Sequence, residues 1–102
     1  LGRHDDAVEI ASQAKQLQPA NPEVRFGYGI VLERIGKLPE AIAELDAAFA
    51  LKPNHAAAKS LLAKTLLRHA DALAADSQAG AEAFRARAVQ LDPSLAAVAN
   101  PI

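Results

Sequence analysis

Apolar residues recur along this chain at three- and four-residue spacing, in runs broken by proline, glycine and asparagine. That period marks helices with one buried face. Val8, Ala11, Ala14 and Leu17, with Ala7, define a first helix over residues 5–17. Asp5, Asp6 and Glu9 put negative charge in its opening turns, where the helix dipole favours it. Pro19 and Pro22 stop it and frame a short turn. Asn21 suits a cap, and Pro22 suits the first turn of a second helix, because the N–H it lacks would be unpaired there anyway. The buried stripe expected on this helix is Val24, Tyr28, Val31 and Ile35, with Leu32 beside it, and Gly36 ends it. Pro39 and Glu40 open a third helix, with Ala41, Ile42, Leu45, Ala48, Phe49 and Leu51 as its stripe and Pro53-Asn54 as its stop. A fourth helix is predicted from Ala56 to about Ala75, carrying Leu61, Leu62, Leu66 and Leu73. Asp76 or Ser77 caps a fifth, which runs to about Leu91 along Ala81, Phe84, Ala88 and Leu91. Pro93 closes that one, and Ser94 to Ala99 starts a sixth. Connections of about two to four residues make consecutive helices antiparallel neighbours. No segment sustains apolar–polar alternation, so no strand is predicted.

The pattern also repeats. Leu1 to Ala7 returns as Ile35 to Ala41, Leu17 to Asn21 returns as Leu51 to His55, and Pro19 and Pro53 stand 34 residues apart. A fixed period of this size signals stacked copies of one helical unit. Period, helix pairs and terminal proline resemble the tetratricopeptide repeat, whose signature is W-x2-L-G-x2-Y, then A-x3-F, then P. Pro22 to His55 fits a whole repeat, with Arg25 where Trp is usual, then Tyr28-Gly29, Leu32, Ala41, Leu45 and Pro53. Leu1 to Asn21 matches only a second half, through Gly2, Ala7, Ala11, Ala14 and Pro19. The third copy starts in register at Lys59, Leu62-Ala63 and Leu66, but Pro53 to Pro93 spans 40 residues, six more than the period. The extra residues fall between Leu67 and Ala81 and should lengthen the fourth helix by roughly 1.5 turns.

The expected organisation is one domain over 1–102: a half repeat (1–21), a full repeat (22–55), a repeat with the six-residue insertion (56–93) and the start of a capping or next-repeat helix (94–102). Because the chain begins inside a repeat and without Met, it reads as a fragment of about two and a half repeats from a longer protein. The resemblance implies an all-α fold, with antiparallel helix-turn-helix repeats stacked as a right-handed superhelix. The first helix of each pair would line a concave groove for a peptide or a partner's helix, and the second would form the convex back. Family members serve as adaptors and scaffolds, or as docking arms attached to enzymes.

Composition narrows the picture further. There are 25 Ala, four aromatics, no Trp and no Met, so the core must be built of small side chains on closely approaching helices. A net charge of −1 without a basic stripe argues against nucleic acid as a partner. No apolar run approaches the ~20 residues of a membrane span, and no targeting segment is recognisable. The lack of Cys removes disulfides and leaves the compartment open, with a soluble cytoplasmic setting favoured over export. The alanine content points to a GC-rich bacterial source as a compositional guess.

Candidate chemistry is sparse. His4-Asp5-Asp6 lies at a helix start, where capping explains it better than metal binding. His69 and Asp71 are two apart on a helix and diverge, and His55 sits in a turn. Arg85 and Arg87, with Lys59, Lys64 and Arg68, read as a solvated surface. No catalytic, cofactor or metal site is expected, and no cofactor. On the second helix, however, Phe26, Ile30 and Glu33 point nearly opposite the expected buried stripe. Adding the period gives Ser60, Lys64 and Leu67, flanked by Arg34 and Arg68. The resemblance makes this the groove face, so the expected partner-binding set is Phe26, Ile30, Glu33, Arg34, Ser60, Lys64, Leu67 and Arg68. An apolar patch beside cations suits a peptide or helix with apolar and acidic residues. Against this, Phe26 and Ile30 can serve as packing residues for a preceding helix or a second copy. One subgroup of the family grips the C-terminal carboxylate of heat-shock chaperones with Lys and Asn on these helices; here only Lys64 agrees, so no such clamp is expected. The functional expectation is a protein-interaction scaffold without catalysis. The alternatives are a docking arm of a larger enzyme, such as a transferase, and a homo-oligomerisation module that stacks open repeat ends.

Overall fold

Helix boundaries fall where proline, asparagine and glycine stand. The computed structural model describes residues 3–74 and 78–96, which form α1 (Arg3–Leu17), α2 (Pro22–Arg34), α3 (Leu38–Leu51), α4 (Ala56–Leu73) and α5 (Gln78–Leu91). Asn21 caps α2, its side chain accepting from the N–H groups of Glu23 (2.9 Å) and Val24 (3.4 Å). Gly36 ends α2 in the left-handed region at φ 83°, which a side chain would oppose. There the Gly36 N–H reaches the Glu33 carbonyl and the Lys37 N–H reaches the Leu32 carbonyl, satisfying the last turn. After α5 the backbone makes a short 3-10 turn at Pro93–Leu95, capped by Asp92, where the sequence suggested a sixth α-helix. Residues 97–99 of that expected helix, like the expected caps Asp76 and Ser77, lie outside the described residues. α4 has 18 residues against 13 in α2, so part of the added length before Ala81 is helical.

Each helix packs chiefly on the next, and no strand occurs among the described residues. The fold is thus all-α and built of helix-turn-helix pairs. Its core joins Ile42 and Leu45 of α3, Leu62 and Leu66 of α4, and Ala88 of α5. Ala41, Ala48, Ala58, Ala63, Ala70 and Ala81 are fully buried around it, and their small side chains allow the helices to close up. Thr65, also fully buried, donates its hydroxyl to the Leu61 carbonyl at 2.7 Å.

The expected stripes need correction where a helix has a neighbour on one side only. On α2 the buried positions are Gly29 and Leu32, whereas Val24, Tyr28, Val31 and Ile35 are half-exposed. Val24, Tyr28 and Val31 face α1, which itself touches little else, and Leu17 of its expected stripe is 82% exposed. On α3, Leu51 is exposed, while Leu38 and Glu44 are buried.

Charged side chains tie helices together where the sequence suggested plain solvated surface. The buried Glu44 carboxylate accepts from Lys15 Nζ of α1 (2.6 Å) and Arg25 Nη1 of α2 (3.0 Å). Arg25 Nε also donates to the Pro19 carbonyl at 2.8 Å, so the guanidinium in the usual Trp position holds the α1–α2 turn. Arg87 of α5 makes a two-pronged pair with Asp46 of α3, and that hydrogen bonding holds the guanidinium even more firmly protonated than usual. Arg85 pairs with Asp71 at 3.5 Å.

Two α2 glycines have opposite roles. A Cβ on Gly29 would lie 2.7 Å from Leu45 Cδ2 and 2.8 Å from Cγ, and Leu45 is fully buried with nowhere to move. A Cβ on Gly27 would meet nothing within 4 Å. Gly29→Ala is therefore expected to destabilise the protein by about 1–3 kcal/mol. Gly27→Ala is expected to stabilise it by about 0.5–1 kcal/mol through helix propensity. Urea denaturation of the two variants measures both signs.

Candidate partner-binding groove

α2 and α4 lie side by side and run in the same direction. At one end Phe26 of α2 rests on His55, the cap of α4, with ring centroids 4.7 Å apart at 53°. At the other end Glu33 of α2 pairs with Arg68 of α4. Between these ends is an open groove. Phe26, Ile30, Glu33 and Arg34 form one wall. Ser60 and Lys64, with Ala57 and Leu61, form the other.

Six of the eight residues expected at a partner site thus line one concavity. The other two do not. Leu67 packs against the core. Arg68 reaches the groove only through its ion pair with Glu33. Phe26 and Ile30 are half-buried rather than freely exposed, because Phe26 packs against the core and stacks on His55. The phenyl ring is both a wall of the groove and a part of the fold.

His55 is a residue that its place in a turn concealed. It is 9% exposed. Its Nδ1 accepts from the Ala58 N–H (3.1 Å), so the ring proton sits on Nε2 and is donated to Glu23 Oε1 at 2.9 Å. One imidazole therefore caps α4, supports Phe26 and binds α2. Its hydrogen bond holds the Glu23 carboxyl below the usual range, helped by Lys52 at 3.8 Å. His69 packs edge-on against Phe84, with centroids 4.8 Å apart. Among the described residues, no group of three or more His, Asp or Glu is placed to hold a metal ion.

A family model for the tetratricopeptide repeat matches residues 1–65, more than half of the chain. The chain belongs to the tetratricopeptide repeat family. No curated protein matches it. The match spans α1 to α3 and the first half of α4, which includes every residue lining the groove. Tetratricopeptide repeats generally mediate protein–protein interaction and are typically non-catalytic. Among the described residues, no helix is long and apolar enough to cross a membrane.

The lowered Glu23 carboxyl makes a sign prediction. A depressed acid contributes stability that is fully present above its ordinary range and is lost as pH falls through the lowered value. Glu23→Gln should therefore flatten the acid side of the stability profile. Melting temperatures of both proteins from roughly pH 7 to roughly pH 3 should converge as the acid is protonated.

Proposed function

We propose that this chain is a non-catalytic interaction scaffold that holds a peptide or helix of a partner protein between α2 and α4. One observation carries the reading: apolar Phe26 and Ile30 share an open groove with the small side chains Ala57 and Ser60. A half-buried apolar wall facing small side chains across an open groove suits an inserted side chain. The repeats we assign are α2 with α3 and α4 with α5, with α1 as a preceding half repeat. Such a unit works equally as a docking arm of a larger enzyme.

A photo-crosslinking residue placed at Ser60 should capture a partner polypeptide. The same residue at exposed Ala43, on α3, should not. Equal capture from both, or capture from Ala43 alone, overturns the reading. Phe26→Ala should weaken partner binding and also cost about 1–2 kcal/mol of stability, because the ring is half-buried. Ile30→Ala should weaken binding at a smaller cost in melting temperature.

A second reading, self-association, is favoured by the shallow groove between α1 and α2. Ala7, Ile10 and Ala14 face Val24, Tyr28 and Val31 there, and among the described residues no charged side chain lines it. Ile10 is 67% exposed at its edge. A two-fold dimer needs a self-complementary face, and this one offers an apolar groove with an aliphatic knob at its edge. Sedimentation should show concentration-dependent dimers that Ile10→Asp abolishes, and a wild-type chain that stays monomeric at high concentration removes this reading.

A further inference from the structure

The charges around the α2/α4 groove are not balanced. Its acid, Glu33, is taken up by Arg68. Arg34 and Lys64 also line it, both are exposed, and among the described residues neither has an ion-pair or hydrogen-bond partner. The imbalance has a direction. Phe26, Ala57 and Leu61 make the end near the helix starts apolar, whereas Arg34 and Lys64 make the other end cationic. From Phe26 to Arg34 is eight residues of helix, a rise of about 12 Å. An extended chain covers about 12 Å in three or four residues.

We infer that the groove selects an extended partner segment in which an apolar side chain stands three or four residues from a side-chain carboxylate. The inference rests on the reading of this groove as the partner site and adds the chemistry of what enters it. The apolar side chain sits between Phe26 and Ala57, against Leu61. The carboxylate meets Arg34 and Lys64, the groove cations that no acid among the described residues already holds. Glu33 sets the polarity of selection as well. Arg68 neutralises it, so the cationic end does not repel an incoming acid, and a basic segment meets two like charges with no free acid to receive it. Because these cations are exposed, they contribute selectivity and association rate more than affinity.

The test is an NMR titration of the 15N-labelled 102-residue chain, which reads binding even when it is weak. The probes are acetylated and amidated peptides on a Gly/Ser background. Each carries one Leu, with Glu, Gln or Lys three, four or seven positions away; amidation leaves the side chain as the only carboxylate. The amide signals of Ile30, Ser60 and Lys64 should shift most with Glu at spacing three or four, less with Gln and least with Lys. Lys64→Gln and Arg34→Gln should each weaken the Glu peptide about two- to fivefold and leave the Gln peptide unchanged. Added salt should narrow the gap between Glu and Gln. Equal groove shifts from Glu, Gln and Lys peptides overturn the inference while leaving the groove itself as the partner site. A preference for spacing seven also overturns it. If no peptide moves the Ile30 and Ser60 signals, both the inference and the groove reading fail.

Discussion

One buried carboxylate holds the first three helices in register. Glu44 sits on α3 with Lys15 of α1 on one oxygen and Arg25 of α2 on the other. A carboxylate this far from water is tolerable only when its oxygens are occupied by charged donors. Two different helices supply those donors, so neither can turn or slide without leaving the charge exposed to a poor solvent. The close approach of Gly29 to Leu45 lies one turn along the same α2–α3 contact. Position and distance are therefore set together, the first by charge and the second by the absence of a side chain.

The groove depends on that arrangement at one remove. α2 is fastened to α3 by Gly29 and Glu44, and α4 is fastened to α3 through Leu45, Leu62 and Leu66. The face that α2 and α4 share is therefore a by-product of how each docks on α3. His55 and the Glu33–Arg68 pair then close the two ends, and the middle stays open. A concavity made this way needs little rearrangement to receive a ligand, since its walls are already packed from behind.

Much of the scaffold is legible in residue order. Pro22, Gly36 and Pro53 mark helix limits to within a residue or two, and the 34-residue register by itself sets Ser60 and Lys64 opposite Phe26 and Ile30. The misses have a common physical origin. Glu44, His55 and Arg25 are polar, so a hydrophobic pattern assigns them to the surface. Their placement between helices depends on partners 19 to 32 residues away. Leu17 fails in the opposite sense: it fits the stripe of α1, but no described helix covers it. Pattern tells which face of a helix is apolar; it does not tell whether a neighbour is present, or whether a charge has found its counterpart. The six-residue departure from the period is legible too: it suggests a longer fourth helix, and α4 takes up part of it over its 18 residues.

The pairing of Arg87 with Asp46 has a wider consequence. Apolar packing in this molecule joins mainly consecutive helices, but Arg87 reaches from α5 to α3, as Lys15 reaches from α1 to α3 and Arg68 from α4 to α2. Apart from the Phe26–His55 ring contact, the side-chain pairs that skip a helix run largely through charges. In a stack whose units touch only their neighbours, such links decide whether the units melt together or one after another. Mobile ions weaken them far more than they weaken apolar contacts. Ionic strength then acts on the cooperativity of this stack, and the breadth of its melting transition becomes a property of the solvent as much as of the sequence.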